Sequence, residues 1–232
     1  MLVKYWMRRT VVTADVDDSM QEGINRVKEY NLTLLPILKD GRIVGIVTDR
    51  DIKRASASDA TALEIHELLY LLSTIKLGSI MTKDPVTIPA DYTLEEAAQL
   101  LLKNQISGAP VVDRHGRIVG TIGQREIFSA LVALTGLEKR GIHFAFQLED
   151  RPGSIKEVTD VIRQYGGRLA SILTSYERAP SGFRHVYIRA FQIDRGKLQE
   201  LIDRLREKAV ILYMVDLRDN KRVEYVESYR VA

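Results

Sequence analysis

Apolar and polar positions along this chain follow one compound pattern, and the first 135 residues carry it twice. Residues 19–30 and 93–104 each repeat apolar positions at the three- and four-residue spacing of an amphipathic helix. A short apolar stretch precedes each helix, Val12-Thr13 in one case and Val86-Thr87 in the other. A strand-like run follows each, residues 34–38 and 109–113. Then comes a turn dipeptide, Asp40-Gly41 or His115-Gly116, and a further apolar run, so each pair of runs predicts a tight hairpin. The string Gly-Arg-Ile-Val-Gly occurs at 41–45 and again at 116–120, a repeat of about 75 residues. Each copy therefore predicts strand, helix, hairpin and closing helix.

Half a domain of this size cannot bury both faces of its sheet. Two copies are expected to pack together with pseudo-twofold symmetry. Between them, Leu63, His66, Leu68, Leu69, Leu72 and Ile75 fall at helical spacing and predict a connecting helix.

After the turn-rich residues 136–141 the repeat stops. Residues 143–148 alternate as a strand, and a helical pattern runs through Ile155, Val158, Val161 and Ile162 to the stop at Gly166-Gly167. Strand-like runs at 169–175 and 184–191 flank the turn Pro180-Ser181-Gly182; a second helix spans about 196–208 and a last strand 210–217. The order is βαββαβ, that of a ferredoxin-like sandwich. The tail alternates after Arg222, as an added edge strand or an arm on a neighbour. The expected class is α+β. Its divisions are 1–58 and 78–136 for the two repeats, 59–77 for the connector, 141–218 for the last domain and 219–232 for the tail.

Composition narrows the function classes. Hydrophobic residues make up 45% and charged residues 28%, with a net charge of +3. The basic residues are spread among nearly as many acids, so neither a nucleic-acid patch nor a polybasic membrane run is expected. There is no cysteine, which removes disulfides, thiolate nucleophiles and cysteine metal sites. No apolar stretch has signal-peptide or membrane-span length, so a cytoplasmic location is expected. The histidines His66, His115, His143 and His185 are isolated, and the pairs Asp17-Asp18 and Glu95-Glu96 fall at helix starts, where the dipole favours acids. With no Walker loop or nucleophile elbow, the expectation is a non-catalytic protein that needs no metal and no cofactor.

One stretch carries candidate chemistry: Gly45-Ile-Val-Thr48-Asp-Arg50-Asp51. Thr48 followed three residues later by Asp51 is a variant capping box, and a helix N-terminus attracts phosphate. The two readings are capping alone, or capping that also holds a nucleotide. The second copy reads Gly120-Thr-Ile-Gly123-Gln-Arg-Glu126, which keeps the helix start but loses the hydroxyl. One competent site is therefore expected, with a weak or empty second one.

With Met7 and Met81 before the copies and Pro36 and Pro110 in their second strands, the tandem resembles a pair of CBS domains, a Bateman module. The resemblance covers about residues 1–135. It implies adenine nucleotides or adenosyl ligands (AMP, ADP, ATP or S-adenosylmethionine) in clefts between the copies. Carried over, Thr48 contacts phosphate with Arg50 nearby, and Asp51 holds the ribose. Thr13 and Thr87 stand near the base, Leu35, Pro36, Gly108, Ala109 and Pro110 line the clefts, and Glu126 marks the second site. Residues 141–218 resemble an ACT domain through Asp150-Arg-Pro152-Gly153-Ser154-Ile155, which implies an amino-acid site on that loop or a role in assembly. The combination is similar to the AcuB-like proteins associated with acetoin utilisation. It implies a homodimeric regulatory sensor acting on an unnamed protein. The alternatives are a ligand-independent assembly adaptor and a sensor that uses the ACT site alone.

Overall fold

The structure, a computed structural model, describes residues 1–59, 70 and 72–226. The chain divides into two compact units, Met1–Ser129 and Ala130–Ala232. The connecting helix expected at 63–75 lies largely outside the described residues.

In the first unit each repeat builds a small sheet. Strand β1 (Ala14–Asp15) runs parallel to β2 (Leu34–Lys39), which forms a hairpin with β3 (Arg42–Thr48). Asp40 and Gly41 take φ of 51° and 75°, the paired left-handed conformations of a tight two-residue hairpin turn. The helix between β1 and β2, α1 (Met20–Glu29), starts at a reciprocal capping box. The Glu22 N–H donates to the Ser19 hydroxyl at 3.2 Å, and the Ser19 N–H donates to Glu22 at 2.7 Å. Helix α2 (Asp49–Asp59) closes the repeat, α3 (Leu77–Ile80) follows, and β4 (Thr82–Lys83) adds to the far edge of β3.

The second copy repeats the plan with β5 (Ile88–Pro89), α4 (Leu94–Lys103), β6 (Gly108–Val112), β7 (Ile118–Gly123) and α5 (Gln124–Leu134). Thr93 and Glu96 form the capping box of α4. Its hairpin tip is longer than a two-residue turn. The Asp113 N–H donates to the Arg117 carbonyl at 2.9 Å, and the Asp113 carboxylate accepts from His115 and Arg117 N–H groups at 2.8 and 3.0 Å.

One expectation shifts in both repeats. The leading strands fall two residues later than Val12-Thr13 and Val86-Thr87, because only Ala14, Asp15, Ile88 and Pro89 reach ladder partners. The Thr13 carbonyl instead accepts from the Arg26 guanidinium at 3.0 Å. Leu35, Ile37 and Val47 of the first sheet and Leu77 of α3 make a fully buried cluster.

The second unit is an antiparallel sheet with two helices. Its elements are β8 (Ile142–Glu149), α6 (Ser154–Gln164), β9 (Arg168–Ser175), β10 (Phe183–Phe191), α7 (Leu198–Arg206), β11 (Val210–Asp216) and β12 (Lys221–Glu224). The strand order is β12-β11-β8-β10-β9. Alternate residues of β8 and β10, among them Phe144, Phe146 and Ile188, pack with Val158, Ile162, Leu201 and Leu205 of the helices in one buried core. Helix α7 starts at Leu198 rather than 196, since residues 195–197 form a 3₁₀ turn capped by Asp194. Residues from the tail pair with β11 as the edge strand β12. Among the described residues no helix is long and apolar enough to cross a membrane.

Candidate functional site

Strand β3 ends at Thr48 and α2 begins at the next residue, so Thr48 stands at the cap. Asp51 Oδ2 accepts from the Thr48 N–H at 2.9 Å and from the Thr48 hydroxyl at 2.6 Å. The Asp51 N–H points back to the same hydroxyl at 3.4 Å. Arg54 reaches Asp51 Oδ1 at 3.1 Å. Capping is therefore realised, and it does more than start a helix. It holds a carboxylate that is only 5% exposed at the positive end of a helix dipole.

A cleft of about 810 Å³ opens beside this cap, with the two repeats on opposite sides. Thr48, Arg50, Asp51, Arg54 and Thr82 line it from the β3–α2 side, and Leu101, Leu102, Gln105 and Ser107 face them from the second repeat. Leu102 stands at its rim, 77% exposed.

Of the residues named from sequence, the structure brings Thr48, Arg50, Asp51 and Gly108 together on this cleft. Gly108 marks the approach of the repeats, because a Cβ there would stand 3.0 Å from Leu34 Cδ2. Leu35 and Ala109 do not line it with their side chains; both are fully buried, since these strands are covered on both faces. Pro36 and Pro110 sit mid-strand opposite Ile46 and Thr121. Thr87 lines a different hollow of about 770 Å³, between the hairpin tips with Arg42 and Arg117. Glu126 accepts from the Gly123 N–H at 2.9 Å, repeating half of the Thr48–Asp51 arrangement without the hydroxyl. Sequence reading missed Thr82, Arg54 and the Leu101–Leu102 wall. Of these only Arg54, one turn beyond Asp51, had a local signal.

In the second unit, the loop at Asp150 to Gly153 leads into α6, with Gly153 at φ 89° and nothing within 4 Å of its Cβ position. The loop's polar groups find partners nearby. Asp150 accepts from the Tyr176 hydroxyl at 3.3 Å and pairs with Arg184 at 3.6 Å. The Ser154 hydroxyl accepts from Arg184 at 3.1 Å, and Arg151 forks onto Glu157 at 2.7 and 3.0 Å. Pro152 fixes the turn between these residues, and Ile155 packs on the core.

The opposite face of the same sheet holds a histidine in an unfavourable place for charge. His143 stacks between Tyr187 and Tyr213, at centroid distances of 6.2 and 5.8 Å, and pairs across the ladder with Arg189. Its Nδ1 is buried without a hydrogen-bond partner among the described residues. Burial, and then the Arg189 charge, push its pKa down to about 4. Burial also lowers His185. Because the unfolded chain takes up these protons first, stability is complete above pH 6.5 and is lost as pH falls from about 6.5 to about 4. Allowing for solvent screening, the expected loss from His143 is about 1–2 kcal/mol. Urea melts across that window should show it, and His143→Phe should flatten the acid limb. An unchanged limb in the variant would rule His143 out as its source. Among the described residues no cluster of His, Asp and Glu suits a metal ion.

Two pseudo-equivalent strand–helix–hairpin–helix repeats, facing each other across a cleft edged by a capped helix, define a paired-repeat α+β module. The CBS domain family model matches residues 3–58 and 77–133. A CBS domain-containing protein of Dictyostelium discoideum is 30% identical over 132 residues, covering 56% of this chain and 91% of that protein. The chain belongs to the CBS domain family. Inosine-5′-monophosphate dehydrogenase of Methanocaldococcus jannaschii is 33% identical over 120 residues, 51% of this chain but only 21% of that enzyme. The likeness to that enzyme thus covers about a fifth of its length. Among solved structures, the CBS domain pair of protein MJ0100 in complex with 5′-methylthioadenosine and S-adenosyl-L-methionine is 29% identical, with 56% of this chain and 95% of that chain covered and a TM-score of 0.49. The family model leaves the antiparallel unit from Ile142 onward unmatched.

Proposed function

We propose that this chain is a non-catalytic regulator whose CBS pair binds an adenine nucleotide or adenosyl ligand in the Thr48–Asp51 cleft. The observation that carries this reading is Asp51, a carboxylate 95% removed from solvent yet set in the wall of an open cleft beside two arginines. The ribose diol donates to Asp51. A phosphate takes the Thr48 hydroxyl, the positive end of the α2 dipole and the Arg50 and Arg54 guanidinium groups. The base lies on Leu101 and Leu102, which gives the exposed Leu102 an apolar partner.

The second unit serves as an ACT domain in this reading. Its strand order without β12, last-first-third-second, supports a ferredoxin-like sandwich. The open space at Gly153 leaves the loop backbone approachable by an amino acid held at Asp150, Pro152, Gly153, Ser154 and Ile155. Ligand binding then shifts the assembly of a homodimer, and with it the hold on a regulated partner protein, by its differential affinity for the two arrangements.

Calorimetric titration of ligand-free protein with AMP, ADP, ATP and S-adenosylmethionine tests the reading. Micromolar binding of at least one is expected. Silence toward all four would leave the cap as a cap, and an assembly adaptor would take the sensor's place.

A further inference from the structure

By symmetry the two repeats make two clefts, and each is edged by a segment that precedes the other repeat. Met81 lies against Gly45 as Met7 lies against Gly120. The residues that follow pair in the same antiparallel sense, Thr82 with Ile46 and Arg8 with Thr121. Thr82 and Arg8 are thus equivalent positions. So are the left-handed residues after α1 and α4, Asn31 at φ 48° and Gln105 at φ 54°.

The same positions behave differently in the two clefts. In the first, Thr82 and Gln105 both stand on the lining of the open space. In the second, the Arg8 side chain crosses from one to the other. Its guanidinium donates to the main-chain oxygens of Tyr30 and, at 3.0 Å, Asn31. Carbonyls just past the end of α1 carry partial negative charge, which suits a cation. Arg8 is half-buried there.

We propose that Arg8 is an internal plug of the second cleft, so that one chain holds one nucleotide, at Thr48 and Asp51. The inference rests on the nucleotide reading of the first cleft and adds the reason for its asymmetry. Gly123 removes one hydrogen bond from the second site; Arg8 removes the space. The plug is a side chain rather than backbone, so substitution can withdraw it.

The test is calorimetric stoichiometry with AMP and with ATP on three full-length proteins: wild type, Arg8→Thr, which copies the first cleft, and Thr82→Arg, which imports the plug. Thermal melting checks folding, and Arg8→Gln replaces Arg8→Thr if the latter does not fold. One site per chain is expected for the wild type and two for Arg8→Thr, the new one roughly tenfold weaker for want of a hydroxyl at Gly123. Thr82→Arg should weaken the original site at least tenfold. A folded Arg8 variant that still binds once, a wild type that binds twice, or a Thr82→Arg protein that binds like wild type overturns the plug. If the wild type binds nothing, the first-cleft reading fails on its own. The plug then stands if the Arg8 variant gains a site and falls if it does not.

Discussion

Asp51→Ala is expected to weaken adenine-nucleotide binding by at least tenfold, and toward a hundredfold if both ribose hydroxyls use the carboxylate. Charge-assisted hydrogen bonds contribute roughly 1.5–3 kcal/mol each, and about 1.4 kcal/mol is a factor of ten in affinity. The same substitution strips the cap of α2, because Asp51 Oδ2 is the acceptor for both the Thr48 N–H and hydroxyl. A loss of about 1 kcal/mol in stability should accompany it. Two effects of one residue need separating, and the second repeat shows how. There Glu126 keeps the bond to the Gly123 N–H and the helix still starts. Converting the first site to that sequence, Thr48→Gly with Asp51→Glu, should therefore keep most of the stability and lose the ligand. Calorimetry beside thermal melting reads both quantities. If the double variant binds like the wild type, Thr48 and Asp51 are structural and the cleft owes its affinity to other groups.

How far the sequence discloses the molecule depends on the range of the interaction. Capping boxes are local, and Ser19 with Glu22, Thr93 with Glu96 and Thr48 with Asp51 could each be read three residues apart. The hairpin at Asp40-Gly41 is local too. The far wall of the cleft is not. Leu101 and Leu102 look like one helix face continuing, and nothing near them says that Leu102 stays exposed beside a site some fifty residues away in the chain. Leu35 and Ala109 turn their side chains into the core for a reason that is equally hard to read, since a strand buried on both faces has no alternation to tell lining from core. The stacking of His143 between two tyrosines required the registers of β10 and β11 on β8, which no single segment contains.

The repeated string Gly-Arg-Ile-Val-Gly gains its meaning from such a long-range contact, and the largest stability effect is expected there. A Cβ at Gly45 would stand 2.8 Å from Met81 Cγ and 3.0 Å from the Thr82 carbonyl oxygen; at Gly120 it would stand 2.7 Å from Met7 Sδ and 2.8 Å from the Arg8 carbonyl oxygen. The second glycine of the string is thus the gap through which the incoming segment meets each hairpin. Gly45→Val should cost about 3 kcal/mol by overpacking and lower the melting temperature by roughly 10 °C. Met81→Ala in the same chain should recover part of that loss, because the thioether can be removed while the Thr82 carbonyl cannot. Gly41→Ala is the contrasting case: its surroundings are open and only its φ of 75° is strained, so about 1 kcal/mol is expected. Equal losses in Gly45→Val and Gly41→Ala would show that the contact with Met81 is not what the glycine serves. Because Thr82 adjoins Met81 and lines the cleft, Gly45→Val should lose ligand and stability together. The Thr48→Gly/Asp51→Glu protein should lose ligand while losing little stability. That difference separates a cleft that is deformed from one whose binding groups have been removed.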